Sequence, residues 1–224
     1  MNKKIIIPIA SALIVLGFAG LLLYPRYAEK KQLQNWQELA AKHPQGVQLM
    51  EEIKRRQVEL KDDNAENDIA ANNYLAISIS NLGDKTGALK YYERALKLDP
   101  KSRIALNNIA NVYQDLSDWN NAEVYFKKLI TAEPGYTPAY RSLAYLYQYR
   151  FNDPEEKIKA LIDQGLAANP DNGDLLSWII SYYQEKQEND KAVPYSQRLV
   201  DSLNKAAATG TQDKNNVGIQ VEYK

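Results

Sequence analysis

Cysteine is absent from these 224 residues, and histidine occurs once, at His43. Thiol nucleophiles, thiolate metal sites and disulfides are thereby excluded, and imidazole chemistry is confined to one residue beside a proline in a predicted turn. Net charge is missing too. Lys plus Arg and Asp plus Glu each number 28, so no global field draws the chain to nucleic acid. No glycine-rich phosphate loop occurs, and the stretch from Asp62 to Asp68 lacks the alternating oxygen ligands of a calcium loop. The adjacent carboxylates Glu51-Glu52, Asp62-Asp63 and Glu155-Glu156 read as solvated helix faces, because neighbours on a helix point apart. The chain is expected to be no enzyme and to carry neither metal nor cofactor. A chain without thiols also suits an extracytoplasmic compartment.

What is present begins with an apolar run. After a short tail (1–4), residues 5–24 are uncharged from Ile5 to Tyr24. Twenty helical residues span about 30 Å, the thickness of a bilayer's hydrocarbon core. Pro8 falls in the first turn of such a helix, and Tyr24 and Tyr27 stand where an interfacial aromatic belt is expected. Two readings fit this opening: an uncleaved transmembrane signal-anchor, and a secretory leader that is removed. The anchor is preferred, since the run is long and ends in Leu21-Leu22-Leu23-Tyr24-Pro25-Arg26 without small residues suited to cleavage. Lys3 and Lys4 before the run nearly balance Arg26, Lys30 and Lys31 after it, so charge leaves the orientation open. The expectation is a single-pass protein of a bacterial inner membrane with its main domain extracytoplasmic.

A repeat governs the rest. Asp99-Pro100 and Glu133-Pro134 each close a helical pattern, 34 residues apart, and the apolar positions before them superpose without a gap. The first unit carries Leu75, Ala76, Ile79, Ala88, Tyr92 and Ala95; the second carries Leu106, Ile109, Ala110, Tyr113, Ala122, Phe126 and Leu129. Turn signals fall at Leu82-Gly83-Asp84 and Leu116-Ser117-Asp118. A third unit starts with Tyr140, Leu143, Ala144 and Tyr147, and its Pro170 lies 36 residues after Pro134, so two residues are inserted between its helices. Asp153-Pro154-Glu155-Glu156 predicts an N-cap, a first-turn proline and two acidic first-turn residues there. Its later matches, Ile158, Ile162 and Gly165, are poorer. A degenerate fourth unit has Leu176, Ile179, Tyr183, Ala192 and Leu199, with Asn204 in the place of the proline.

These landmarks resemble the tetratricopeptide repeat (TPR). The resemblance covers about 69–204, in units 69–102, 103–136, 137–172 and 173–204. It implies an all-α fold: the transmembrane helix, then an α-solenoid of helix-turn-helix repeats whose first helices line a concave groove. Residues 25–68 read as a helical cap or connector, broken at His43-Pro44-Gln45-Gly46, and residues 205–224 as a flexible tail.

The resemblance also assigns the groove. The non-landmark positions of the first helices are Asn73 in unit one, then Asn107, Asn108, Asn111 and Gln114, then Arg141, Tyr145, Gln148 and Tyr149, then Trp178. Amides that both donate and accept suit the backbone of an extended peptide, although Asn108 and Asn111 could equally tie neighbouring helices together. One subset of the family grips a C-terminal carboxylate with Lys, Asn and Arg. The matching places here are Asn73, Ile77, Asn108, Pro138 and Ser142, so the cations are missing and no such clamp is expected. The implied function is a membrane-anchored protein–protein interaction scaffold binding partner proteins or extended peptides, in envelope assembly or secretion. Two alternatives stay open: a structural subunit clamped permanently into a membrane complex, and a secreted repeat protein with a cleaved leader.

Overall fold

A computed structural model describes residues 27–60 and 65–209, and every regular element among them is helical. The run 5–24 lies outside the described residues, as do residues 210–224 of the expected tail. Among the described residues no helix is long and apolar enough to cross a membrane. The first helix, α1, covers 27–42. It is followed by α2 (Gly46–Glu59), α3 (Ala65–Leu82), α4 (Lys85–Leu98), α5 (Arg103–Asp115), α6 (Trp119–Ala132), α7 (Thr137–Tyr149), α8 (Glu155–Ala168), α9 (Gly173–Glu185) and α10 (Asn189–Thr209). The chain divides into two compact units, with the boundary within α4 between Ala88 and Leu89.

The first unit contains the expected cap. His43 and Pro44 break the helix, and α2 packs on α3. Gly46 is indispensable to that hairpin, because a Cβ there would lie 1.9 Å from the carbonyl oxygen of Ala40. Trp36, Met50, Ile53, Leu75 and Ile79 are buried, so the cap contributes to a core rather than merely linking segments. Arg56 pairs with Glu52 and Glu59, each at 2.7 Å, and its guanidinium lies 4.6 Å over the Tyr74 ring.

In the second unit the hairpins α5–α6, α7–α8 and α9–α10 stack, and one apolar cluster runs from Leu106 to Ala192. Leu106, Phe126, Leu129, Tyr140, Leu143, Ile162, Leu176 and Ile179 are sealed from solvent, as the repeat landmarks require. Local chemistry starts the helices. Asp118 accepts from the Asn121 N–H at 3.2 Å to open α6, and Asn172 accepts from the Leu175 N–H at 2.9 Å to open α9.

The turn inside every repeat uses one left-handed residue: Gly83 (φ 106°), Ser117 (59°), Asn152 (51°) and Gln187 (61°). The following N–H reaches back to a carbonyl in the last turn of the first helix, as with Asp84 to Ile79, Asp118 to Tyr113 and Glu188 to Tyr183. Only glycine holds that geometry without Cβ strain, at the expense of some chain entropy. Gln187→Gly is therefore expected to stabilise the second unit by about 0.5–1 kcal/mol. A thermal melt whose midpoint stays put or falls would contradict this.

Four expectations need correction. Pro154 is itself the N-cap of α8, extended at ψ 149°, so the helix starts one residue later than its sequence suggested. Glu155 and Glu156 do occupy the first turn, while Asp153 pairs with Lys157 at 2.7 Å. Gly165, which looked like a poor match, marks a close approach: a Cβ there would lie 2.7 Å from Leu175 Cδ1 and 3.0 Å from Tyr140 Cγ. Residues 205–209 are helical, since no proline stops α10 at Asn204. Finally, Asn73 is only 3% exposed in α3, a helix that α2 covers, so it offers no groove surface.

Candidate functional site

The first helices of the second unit, α5, α7 and α9, carry the remaining predicted groove residues. On α7, Arg141, Tyr145, Gln148 and Tyr149 sit at i, i+4, i+7 and i+8, a single helical face. Tyr145 and Tyr149 are 40% and 48% exposed although both are large aromatics. On α9, Asp174, Trp178 and Glu185 share the face that α7 meets. The two faces are pinned at both ends. Arg141 approaches Asp174 at 3.6 Å, while Tyr149 donates to Glu185 at 2.7 Å and Gln148 donates to the same oxygen at 3.1 Å.

Between these pins lies a cleft of about 310 Å³ lined by Gln114, Pro138, Arg141, Ser142, Tyr145 and Trp178. The structure thus brings together four of the residues expected from the repeat, from three different helices. Pro138 and Ser142 stand in this cleft at two of the carboxylate-clamp positions, and neither carries charge. Trp178 is half-buried, with its ring stacked 5.5 Å from Tyr182, which fixes the cleft's aromatic wall.

Asn107, Asn108 and Asn111 are half-buried on α5. None of their amides is hydrogen-bonded to a described residue, and none is sealed from solvent. The interhelical tie that Asn108 and Asn111 might have formed is therefore not made. They do not line the cleft.

Three contributors were not anticipated. Glu185 and Asp174 were passed over, although Glu185 occupies in its repeat the place of Tyr149, and Trp178 and Glu185 are seven residues apart on one face. Arg150 lies 4.5 Å over Trp119 and 5.8 Å from the centre of Tyr145, a cation between two rings that no spacing rule announces. The Tyr149 phenol is held above its ordinary pKa, first because Glu185 accepts its proton in a hydrogen bond and then because of burial. Deeper in the unit, burial and then the Glu123 carboxylate push Tyr147 up to about 12. Neither tyrosine is poised to ionise near neutrality. No group of three or more potential metal ligands gathers among the described residues.

Stacked helical hairpins with an open, polar and aromatic face on their first helices define a tetratricopeptide-type interaction fold. Residues 69–102 and 104–132 both match the tetratricopeptide repeat, so the chain carries TPR repeats. A stretch of 59 residues, 26% of this chain, is 34% identical to the uncharacterized protein ycf37 of Pyropia yezoensis; the chain spans only 33% of that relative's length. Among solved structures, a crystal structure of MamA protein superposes with a TM-score of 0.56 at 16% identity, covering 84% of this chain and 97% of that one. MamA 41-end from Desulfovibrio magneticus RS-1 gives 0.53 at 15% identity, covering 81% and 97%. At such identities the likeness concerns the fold.

Proposed function

We propose that this protein is a non-catalytic scaffold that receives an extended segment of a partner protein in the groove lined by α5, α7 and α9, and that residues 5–24 hold it in a membrane with the repeats on the extracytoplasmic side. The observation that carries the reading is the cleft of about 310 Å³ between Arg141, Tyr145 and Trp178. Its size suits one large side chain, and exposed aromatic rings on rigid helices offer contact area at little entropic cost. Solvent-reachable amides on α5 can pair with a peptide backbone whatever its side chains. The apolar run is long enough to span a bilayer and would concentrate the repeats at its surface. Envelope assembly or secretion would use such a tethered binder.

Trp178→Ala together with Tyr145→Ala is expected to weaken partner capture at least about tenfold, since central aromatic anchors dominate such interfaces. Proximity labelling from the intact protein, comparing wild type with the double variant at equal helicity, reads this out. Unchanged labelling would remove the groove from the account. A reporter fused after Lys224 tests the orientation, and activity only on the cytoplasmic side would reverse it.

A further inference from the structure

Resting on the groove reading above, we infer that the Tyr145–Tyr149–Glu185 corner binds a basic side chain of the partner, placed two residues from the large apolar side chain that fills the neighbouring cleft. Charge complementarity points there. Both internal donors, the Tyr149 hydroxyl and the Gln148 amide, engage Oε2 of Glu185, leaving Oε1 open on an exposed residue. Both donors are neutral, and no ion pair among the described residues offsets the charge of Glu185. A fixed carboxylate without a cation is a receptor for one.

The rings complete the pocket. Tyr145 and Tyr149 stand 4.8 Å apart and tilted by 46°, presenting partly exposed faces beside the carboxylate. Cations favour such faces, Arg above Lys because its planar guanidinium also stacks. The protein already lays one guanidinium here, since Arg150 reaches Tyr145 from the Trp119 side while making no ion pair among the described residues. The Glu185 side of the pair is left for an incoming cation.

Spacing sets the motif. Tyr145 and Tyr149 are one turn apart, about 6 Å along the helix axis, which matches two residues of extended chain at about 3.3 Å each. Side chains two apart point to the same side of such a chain. The cleft and the Tyr149–Glu185 corner follow one another along α7, so a segment that fills both runs along that helix, and a large apolar residue between Tyr145 and Trp178 places residue i±2 over Tyr149 and Glu185.

A display library of peptides randomised over ten positions, selected on the full chain in lipid nanodiscs, tests this. Enriched peptides are expected to carry Arg or Lys two positions from a large apolar residue. Their affinity should fall about tenfold with Glu185→Gln, about threefold with Tyr149→Phe, and further in high salt. Enrichment without a basic residue, or affinity indifferent to Glu185→Gln, overturns the inference; if Trp178→Ala still abolishes that binding, the groove reading survives alone. Enrichment of no peptide at all overturns both.

Discussion

Tyr140→Ala is expected to destabilise the second unit by about 3–5 kcal/mol, the range for emptying a large aromatic site in a core. Tyr140 is 0% exposed and lies against the bare backbone of Gly165, where even a Cβ would stand 3.0 Å from its ring. Gly165 itself has no side chain that could swing into the void. The hydroxyl contributes separately, donating at 2.9 Å to the carbonyl of Pro134, the residue that closes the preceding repeat. Tyr140→Phe keeps the ring and should cost only about 1 kcal/mol. Urea unfolding of the two variants separates packing from the hydrogen bond. A loss below about 1 kcal/mol for the alanine variant would mean that the hairpins tolerate a gap at their centre.

A comparable loss is expected in the first unit from Trp36→Ala. The indole is 2% exposed, and its Nε1–H donates at 2.8 Å to Asp84, a residue 48 positions later in the chain. Asp84 also caps the next helix, accepting from the Gly87 N–H at 2.9 Å. One carboxylate therefore ties the cap helix to the turn that ends α3. Removing the indole empties a large site and deprives a partly buried carboxylate oxygen of its donor, together worth about 3–5 kcal/mol. Trp36→Phe, which keeps most of the ring, should cost about 1–3 kcal/mol. Hydrogen exchange of the amides of α1 to α3 measures both, and unaltered protection in Trp36→Ala would show that the cap is only a linker.

Much of this was legible beforehand. The 34-residue period placed α3 to α10 because each landmark acts locally: a small residue permits close approach, an aromatic fills a gap, and a proline stops a helix. The cap hairpin was legible from His43-Pro44 and the apolar spacing around Trp36. The two inserted residues of the third repeat were placed between its helices, where the longer connection from Arg150 to Pro154 holds them and Asn152 takes the left-handed turn. Arg141, Tyr145 and Tyr149 were expected on one side of α7 because i, i+4 and i+8 must share a face, and α7 is helical throughout them.

The failures have physical causes as well. Asn73 sits at a groove position by repeat logic, yet an end repeat has a different neighbour, and α2 covers the helix that carries it. Gly165 departs from the pattern because the ring of Tyr140 already occupies the space that a larger residue takes in other repeats. The α10 boundary was missed because a helix ends where a residue stops it, and the expected proline is absent.

By itself the amino-acid order determined the helix count of each repeat, the turn positions and which residues share a face of each first helix, for these follow from periodicity and local sterics. Only the tertiary structure decided that Glu185 is held by Tyr149 and Gln148 with one oxygen open, that Arg150 lies between two rings, and that Trp36 seeks Asp84. Those pairings join side chains up to 48 residues apart, and a spacing rule cannot register which of many exposed polar groups two packed helices will bring within hydrogen-bond reach.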